Sequence, residues 1–375
     1  RLSIGVGAAC PVLISSIGAN KNGKRTALIY LVNDLFGMIF WGTAFYAANA
    51  VLHFGFMDQI MTPVSVAFIN TVFRVATVCV LFPFIPKLEK LVCMLVKDTQ
   101  EDLEEEADLE LLEDRLIDYP ALAMGQCQRV ISGMAKKVRK NVNRAMNLLN
   151  DYQQERFEKV QRKEDLIDKY ETKLGAYLMK LTKRELTTAQ SRQMSLYLST
   201  ISDFERIGDH AANIAYMSQE LQESKMSFTS EALDELNVVM EAVREIMNTT
   251  AKAFMNGNQD EGSKVAPLGV VITNLCDELK HNHVMRLGSG ACGLEQGTVF
   301  NDVLNSFTRI AAHCASIISA MQKAGEDNED IHIHDSRVYA GEGMAYYTYF
   351  TKYSQKYDLK NQTGHVKSME AEEIM

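Results

Sequence analysis

The chain has 375 residues, room for two or three domains, and its apolar content of 47% is crowded into the first 92 residues, which excludes one uniform soluble domain. A net charge of -9 argues against nucleic acid as the main partner. The seven cysteines are odd in number and form no CxxC pair, which excludes a disulfide framework; they read as small core residues kept reduced.

Residues 26–53 contain one acidic residue, Asp34, and residues 61–86 contain one basic residue, Arg74. Each stretch is long enough to cross about 30 Å of hydrocarbon at about 1.5 Å per residue. Residues 2–19 are shorter and rich in small side chains, the pattern of a half-span or a re-entrant, broken helix. Lys21, Lys24 and Arg25 precede the first full span, and Lys87, Lys90 and Lys97 follow the second; the loop between carries no Lys or Arg. Both basic ends are therefore expected on the cytoplasmic side of a cell membrane, with lipid as a partner and everything after residue 92 in the cytoplasm. Asn33, Asp34, Asn70 and Arg74 are polar at membrane depth, which serves either a solute path or hydrogen bonding between helices. The chain opens on Arg1 inside an apolar segment with no basic n-region and no cleavage site, so that segment does not read as a signal peptide, and a further N-terminal part is expected before it.

The stretch "IGVGAACPVLISSIGANKNGKRTALIYLVNDLFG" resembles the end of the second repeat of the type II sodium/phosphate cotransporter family. "FINTVFRVATVCVLFPFIPKLEKL" is similar to that family's last span and exit. The resemblance implies a sodium-coupled phosphate carrier, with Gly7, Asp34, Asn70 and Arg74 on the transport path and the other inverted repeat upstream. The departures are specific. The family's Asn-Ile-Gly-Thr-Thr falls at Gly5-Val6-Gly7-Ala8-Ala9, where only Gly7 is kept, and its His and Phe-Asn fall at Tyr30 and Asn33-Asp34. Most hydroxyls and amides that would hold sodium and phosphate are absent.

Residues 97–120 form an acidic junction, read as a solvated connector or surface helix, and Pro120 marks entry to the next helix. Beyond it the period is 3.6, and six helices are expected at about 121–152, 155–182, 187–222, 230–256, 263–287 and 297–324. Short breaks rich in Gly, Asn, Ser and Thr separate them, giving two three-helix bundles. An internal repeat supports the doubling: "DFERIGDHAANIA" (203–215) and "SFTRIAAHCASII" (306–318) match in register. "VQRKEDLIDKYETKL" (160–174) pairs with "VAPLGVVITNLCDEL" (265–279). The third helix is read with a buried seam through Ile201, Glu205 and Gly208, flanked by Asp209; the second carries Glu164 on its seam and Asp168 one turn on. Two carboxylate pairs are thus expected to converge inside one bundle. Buried carboxylates need their charge met. Either a hard cation held by oxygen ligands does this, or a base such as Arg206 or Lys163 does, or the seam is splayed to water. His210, one step off the seam, reads as a core or outer hydrogen-bonding group.

The block "DFERIGDHAANIA" is similar to the signature of PhoU-type proteins, a resemblance covering about residues 121–325. It implies doubled three-helix bundles that bind metal through such carboxylates and regulate phosphate uptake. The metal set expected is Glu164, Asp168, Glu205 and Asp209, holding iron, manganese, zinc or magnesium. In the second half Gly269, Thr273, Thr308 and Ala312 stand at those positions, so only the first half is expected to bind. After residue 325, His332 and His334 read as a polar turn, and the tyrosine-rich run 346–353 as a helix packed on the bundle.

The fold class expected is therefore all-α. Membrane helices of a transporter repeat (1–92) lead through an acidic connector (93–120) to a PhoU-like tandem bundle (121–325) and a C-terminal extension (326–375). The expected function is a sodium-coupled phosphate transporter with a cytoplasmic regulatory domain; the alternative is a membrane-anchored regulator or adaptor that transports nothing. Homo-oligomerisation stays open. No nucleophile or Gly-rich phosphate loop supports an enzyme.

Overall fold

A computed structural model describes residues 3–16, 21–53, 62–96, 108–325 and 335–359, with side-chain surroundings given for most of them. The described residues are all-helical, with no strand among them. The chain divides into two compact units, Arg1–Glu105 and Glu106–Met375.

In the first unit α1 (Ser3–Ser15) is a 13-residue helix with Pro11 inside it, too short to span about 30 Å. The helix α2 (Lys21–Leu52) packs on α1, on α3 (Pro63–Leu81) and on α4 (Ile85–Leu95). Thr62 caps α3 by accepting from the Ser65 amide, and Pro63 sits where no amide is needed. The dipeptide Phe82-Pro83 falls in a 3-10 turn, after which the chain continues as α4. By length and composition, 23–52 and 63–95 are helices apolar enough to cross a membrane. Trp41 Nε1 donates to Thr77 Oγ1 at 2.9 Å, and Gly37 lets the two helices close: a Cβ there would lie 3.0 Å from the same oxygen.

In the second unit a 3-10 turn (Asp114–Asp118) precedes α5 (Pro120–Asn150), α6 (Gln154–Leu181) and α7 (Thr188–Glu223), the first three-helix layer. Then come α8 (Ser230–Asn256), the single turn α9 (Gln259–Gly262), α10 (Val265–Gly288) and α11 (Leu294–Gly325). The breaks use local chemistry. Thr187 and Gln190 form a reciprocal capping box, Thr229 caps α8, and Gly257 ends α8 in the left-handed region at φ 61°. The halves join mainly through α7 against α11, and secondly through α5 against α8. The second contact is polar: Arg139 reaches Asn248, Arg244 reaches Asn147, and Asn150 donates to Asn237. The last helix, α12 (Asp335–Lys356), packs on α10. Tyr353, Tyr357 and Leu359 are buried there, whereas Tyr347 is 69% exposed, so the aromatic run is only partly a packing surface. His332 and His334 lie outside the described residues.

Candidate metal centre

The buried stripe of α6 is Val160, Lys163, Ile167, Tyr170, Leu174, Tyr177 and Leu181, and that of α7 is Met194, Tyr197, Ile201, Phe204, Gly208, Ala211 and Ala215. Both advance by alternating threes and fours, the spacing of a helix seam. Ile167 lies opposite Gly208 and Gly175 opposite Ile201, so α6 and α7 run antiparallel. The helices come close at Gly208, where a Cβ would come within 3.2 Å of Ile167 Cγ2.

Glu164 follows Lys163 on α6, and Glu205 follows Phe204 on α7: each stands one residue past a seam position. The two therefore border the seam instead of lying on it. Antiparallel packing at the bare Gly208 contact brings these borders together. One oxygen each of Glu164, Asp168 and Asp209 lies within 4.8 Å of the others. Glu205, one turn before Asp209, stands outside that trio but against it: Asp209 is the chief charge acting on it, followed by Asp168 and Glu171. The sequence-level expectation of carboxylates in a dry bundle interior is corrected here. Glu164, Glu205 and Asp209 are half-buried and Asp168 is exposed. The reason is that α7 is shared between α6 and α11: Asp203 and His210 meet His313 of α11, so the buried face of α7 spreads around to that side and Glu205 is left at its edge.

Burial pushes the Glu164 carboxyl up to about 7, and the charges of Asp168, Asp165 and Asp209 push the same way. Burial, then Asp209, raises Glu205 to about 7. Asp168 is raised by burial and by Asp209 and Asp165. Burial first, and neighbouring like charge after it, disfavour the charged form of these groups. A cation would relieve that repulsion. Metal–oxygen distances of about 2.0–2.6 Å put ligands on opposite sides of an ion about 4–5 Å apart, which matches the span of the trio. An all-oxygen set suits a hard ion such as manganese, magnesium or ferric iron better than a thiolate-seeking one. Exposed Asp168 leaves an entry path.

Two contributors were not read as site residues from sequence. Glu171 sits a turn beyond Asp168 and adds negative charge at Glu205; its place on the same side of the helix was the available signal. His313 is the second. It is the repeat-two counterpart of His210, and the two rings stack with centroids 5.9 Å apart. His313 Nδ1 lies 2.9 Å from buried Asp203 Oδ1, while His210 Nδ1 is buried with no hydrogen-bond partner among the described residues. Burial, and after it His313, lowers the His210 pKa, which disfavours the charged imidazolium. His210 thus belongs to the α7–α11 joint.

The residues proposed for a transport path all belong to the first unit. Asp34 is buried, Asn70 and Arg74 are exposed, and Arg74 Nη1 lies 3.5 Å from the Tyr30 hydroxyl. Gly7 lies on α1, and its surroundings are outside the described set.

The sequence model of the PhoU domain matches residues 131–217, which run from α5 through the carboxylates of α7. The phosphate-specific transport system accessory protein PhoU homolog 1 of Thermotoga maritima is 24% identical over 188 residues, half of this chain and 80% of that protein. The crystal structure of PhoU from Pseudomonas aeruginosa superposes with a TM-score of 0.51 at 20% identity, over 54% of this chain and 97% of that one. PhoU from Streptococcus pneumoniae gives a TM-score of 0.48 at 17% identity. The second unit of this chain therefore carries a PhoU-like helical-bundle domain.

Proposed function

We propose that this chain is a membrane-anchored, metal-dependent regulator of phosphate transport, with its PhoU-like unit in the cytoplasm and the first unit held in the cell membrane. The observation that carries the reading is the meeting of Glu164, Asp168 and Asp209, backed by Glu205, on the one half of the bundle that keeps acidic residues at these four positions. The relative from Thermotoga maritima is named as an accessory protein of a phosphate-specific transport system. That agrees with a regulatory role and with the absence of an enzymatic one. Elemental analysis of the purified chain tests the metal: iron, manganese, zinc or magnesium should copurify. Glu205→Ala with Asp209→Ala should lose it, and Thr308→Ala should keep it. Equal metal content in all three proteins refutes the assignment.

A second reading, in which the complete protein itself carries phosphate coupled to sodium, is favoured by Asp34. Its side chain is 9% exposed within an apolar helix, and Oδ2 has no hydrogen-bond partner among the described residues. Polar groups at membrane depth are costly and tend to be kept for solute paths. Sodium-dependent uptake of labelled phosphate into vesicles containing the protein separates the two readings. Uptake equal to that of empty vesicles leaves regulation alone.

A further inference from the structure

We propose that residues 108–118 are a releasable strap that reports the charge state of the α6–α7 carboxylate cluster to the segment leading back to the first unit. The proposal rests on the cluster's reading as a cation site. The strap is anchored by a fitted contact. Asp108 Oδ2 accepts from Lys137 Nζ at 2.8 Å and from the Tyr170 hydroxyl at 2.9 Å. It does so over Gly133, where a Cβ would come within 2.7 Å of that oxygen, so only glycine leaves room for the carboxylate. The Tyr177 hydroxyl then donates to the Glu113 carbonyl at 2.9 Å, Lys180 pairs with Asp114 at 2.7 Å, and Arg184 pairs with Asp118 at 2.7 Å. The strap therefore runs parallel to α6 along Tyr170, Tyr177 and Lys180 while also touching α5.

At about 100° per residue, Glu164, Asp168 and Glu171 share one side of α6, and Tyr170, Tyr177 and Lys180 lie roughly opposite. One helix thus carries the cluster on one flank of its buried seam and the strap on the other. With the carboxylates repelling one another, the cluster pushes that flank of α6 away from α7. A cation draws it in. The same displacement pulls the Tyr170 and Tyr177 hydroxyls away from Asp108 and from the Glu113 carbonyl, and hydrogen bonds near 2.9 Å weaken over a few tenths of an ångström. The remaining hold is suited to release. The Lys180–Asp114 and Arg184–Asp118 pairs are largely solvent-exposed and contribute little, and Leu109, Leu111, Leu112 and Leu116 are only partly buried; Ile117, buried in the core, keeps the C-terminal end of the strap in place. The strap is thus a two-state element biased by a site on the far face of its own helix.

Amide hydrogen exchange of the full 375-residue chain in detergent, with and without manganese(II), tests this, with bound manganese measured on the same samples. Manganese should speed exchange across residues 108–118 by at least about fivefold, and Glu164→Gln with Glu205→Gln should do so without metal. Asp108→Asn should speed it in both conditions while leaving manganese bound. Manganese bound with strap exchange unchanged or slowed overturns the strap and leaves the metal centre standing. Absence of bound iron, manganese, zinc and magnesium overturns the metal centre. In that event the double Gln variant decides the strap alone: faster exchange supports it, and unchanged exchange overturns it.

Discussion

The two halves of the PhoU-like unit share a frame and differ in chemistry. Phe204 and Phe307 are both fully buried, as are Ile207 and Ile310, and His210 meets His313 where the copies join. Yet the acidic positions of the first half are answered by Gly269, Thr273, Thr308 and Ala312 in the second. There Thr273 Oγ1 donates to the Gly269 carbonyl at 3.0 Å, and Thr308 Oγ1 donates to the Leu304 carbonyl at 3.1 Å. Those hydroxyls donate within their own helices and, being neutral, bring no negative charge to meet a cation. The comparison teaches that the apolar seam and the carboxylate border are separable. A seam residue is held by packing on several helices, whereas a border residue changes without disturbing the fold.

The strongest way to break this comparison is to strike the frame. Phe204→Ala and Phe307→Ala should each destabilise the bundle by about 3–5 kcal/mol in chemical denaturation, since both leave a large cavity. A cost confined to one half would deny that the frames are equivalent. Asp203, which accepts from His313 across the joint, comes next. Asp203→Ala should cost about 2 kcal/mol, because it leaves a partly buried imidazole unpaired, and Asp203→Asn should cost less.

Acid–base behaviour should distinguish the halves more gently. Glu164 and Glu205 hold their protons up to about 7 when folded, against about 4.5 unfolded. The folded state therefore binds more protons than the unfolded state in that window, and metal-free stability should fall as pH rises from about 4.5 to 7. After allowance for solvent screening, the loss should be on the order of 1 kcal/mol per group, and Glu164→Gln should flatten the profile. Thr308→Ala should leave it unchanged. Metal retention should run the other way and weaken below pH 7, as the ligands protonate.

The smallest effect sharpens the geometry. Gly208→Ala sets a methyl 3.2 Å from Ile167 and should cost about 1 kcal/mol net, with weaker metal binding as α6 and α7 part. Gly269→Ala meets its nearest neighbour at 3.7 Å and should gain up to about 1 kcal/mol from helix propensity. Equal outcomes at the two glycines would remove the close approach as the cause of the cluster.

Much of the architecture could be read before any coordinates. A 3.6-residue period, capping threonines at 187 and 229, and glycines at 257 and 290 mark the helices, because these signals act within a few residues. The doubling was legible because the fragments around His210 and His313 match in register. The acidic residues of α6 and α7, and their loss in the second half, were legible for the same reason. Placement of the carboxylates relative to water was not. Periodicity identifies a buried face only to within about one residue, or about 100° of rotation. The second neighbour of α7, the helix α11, lies about a hundred residues away in sequence. The docking of Asp108 over Gly133 likewise depends on a notch made by two helices, which no local pattern announces.

The sequence by itself determined the helices, the repeat and which half keeps its acid residues, since each follows from local propensity or from direct comparison of residues. Only the tertiary structure decided that Glu164, Asp168 and Asp209 meet at a half-wet border, that His210 stacks on His313, and that the connector is strapped to α6. All three depend on how helices distant in the chain rotate against one another to satisfy more than one packing partner at once.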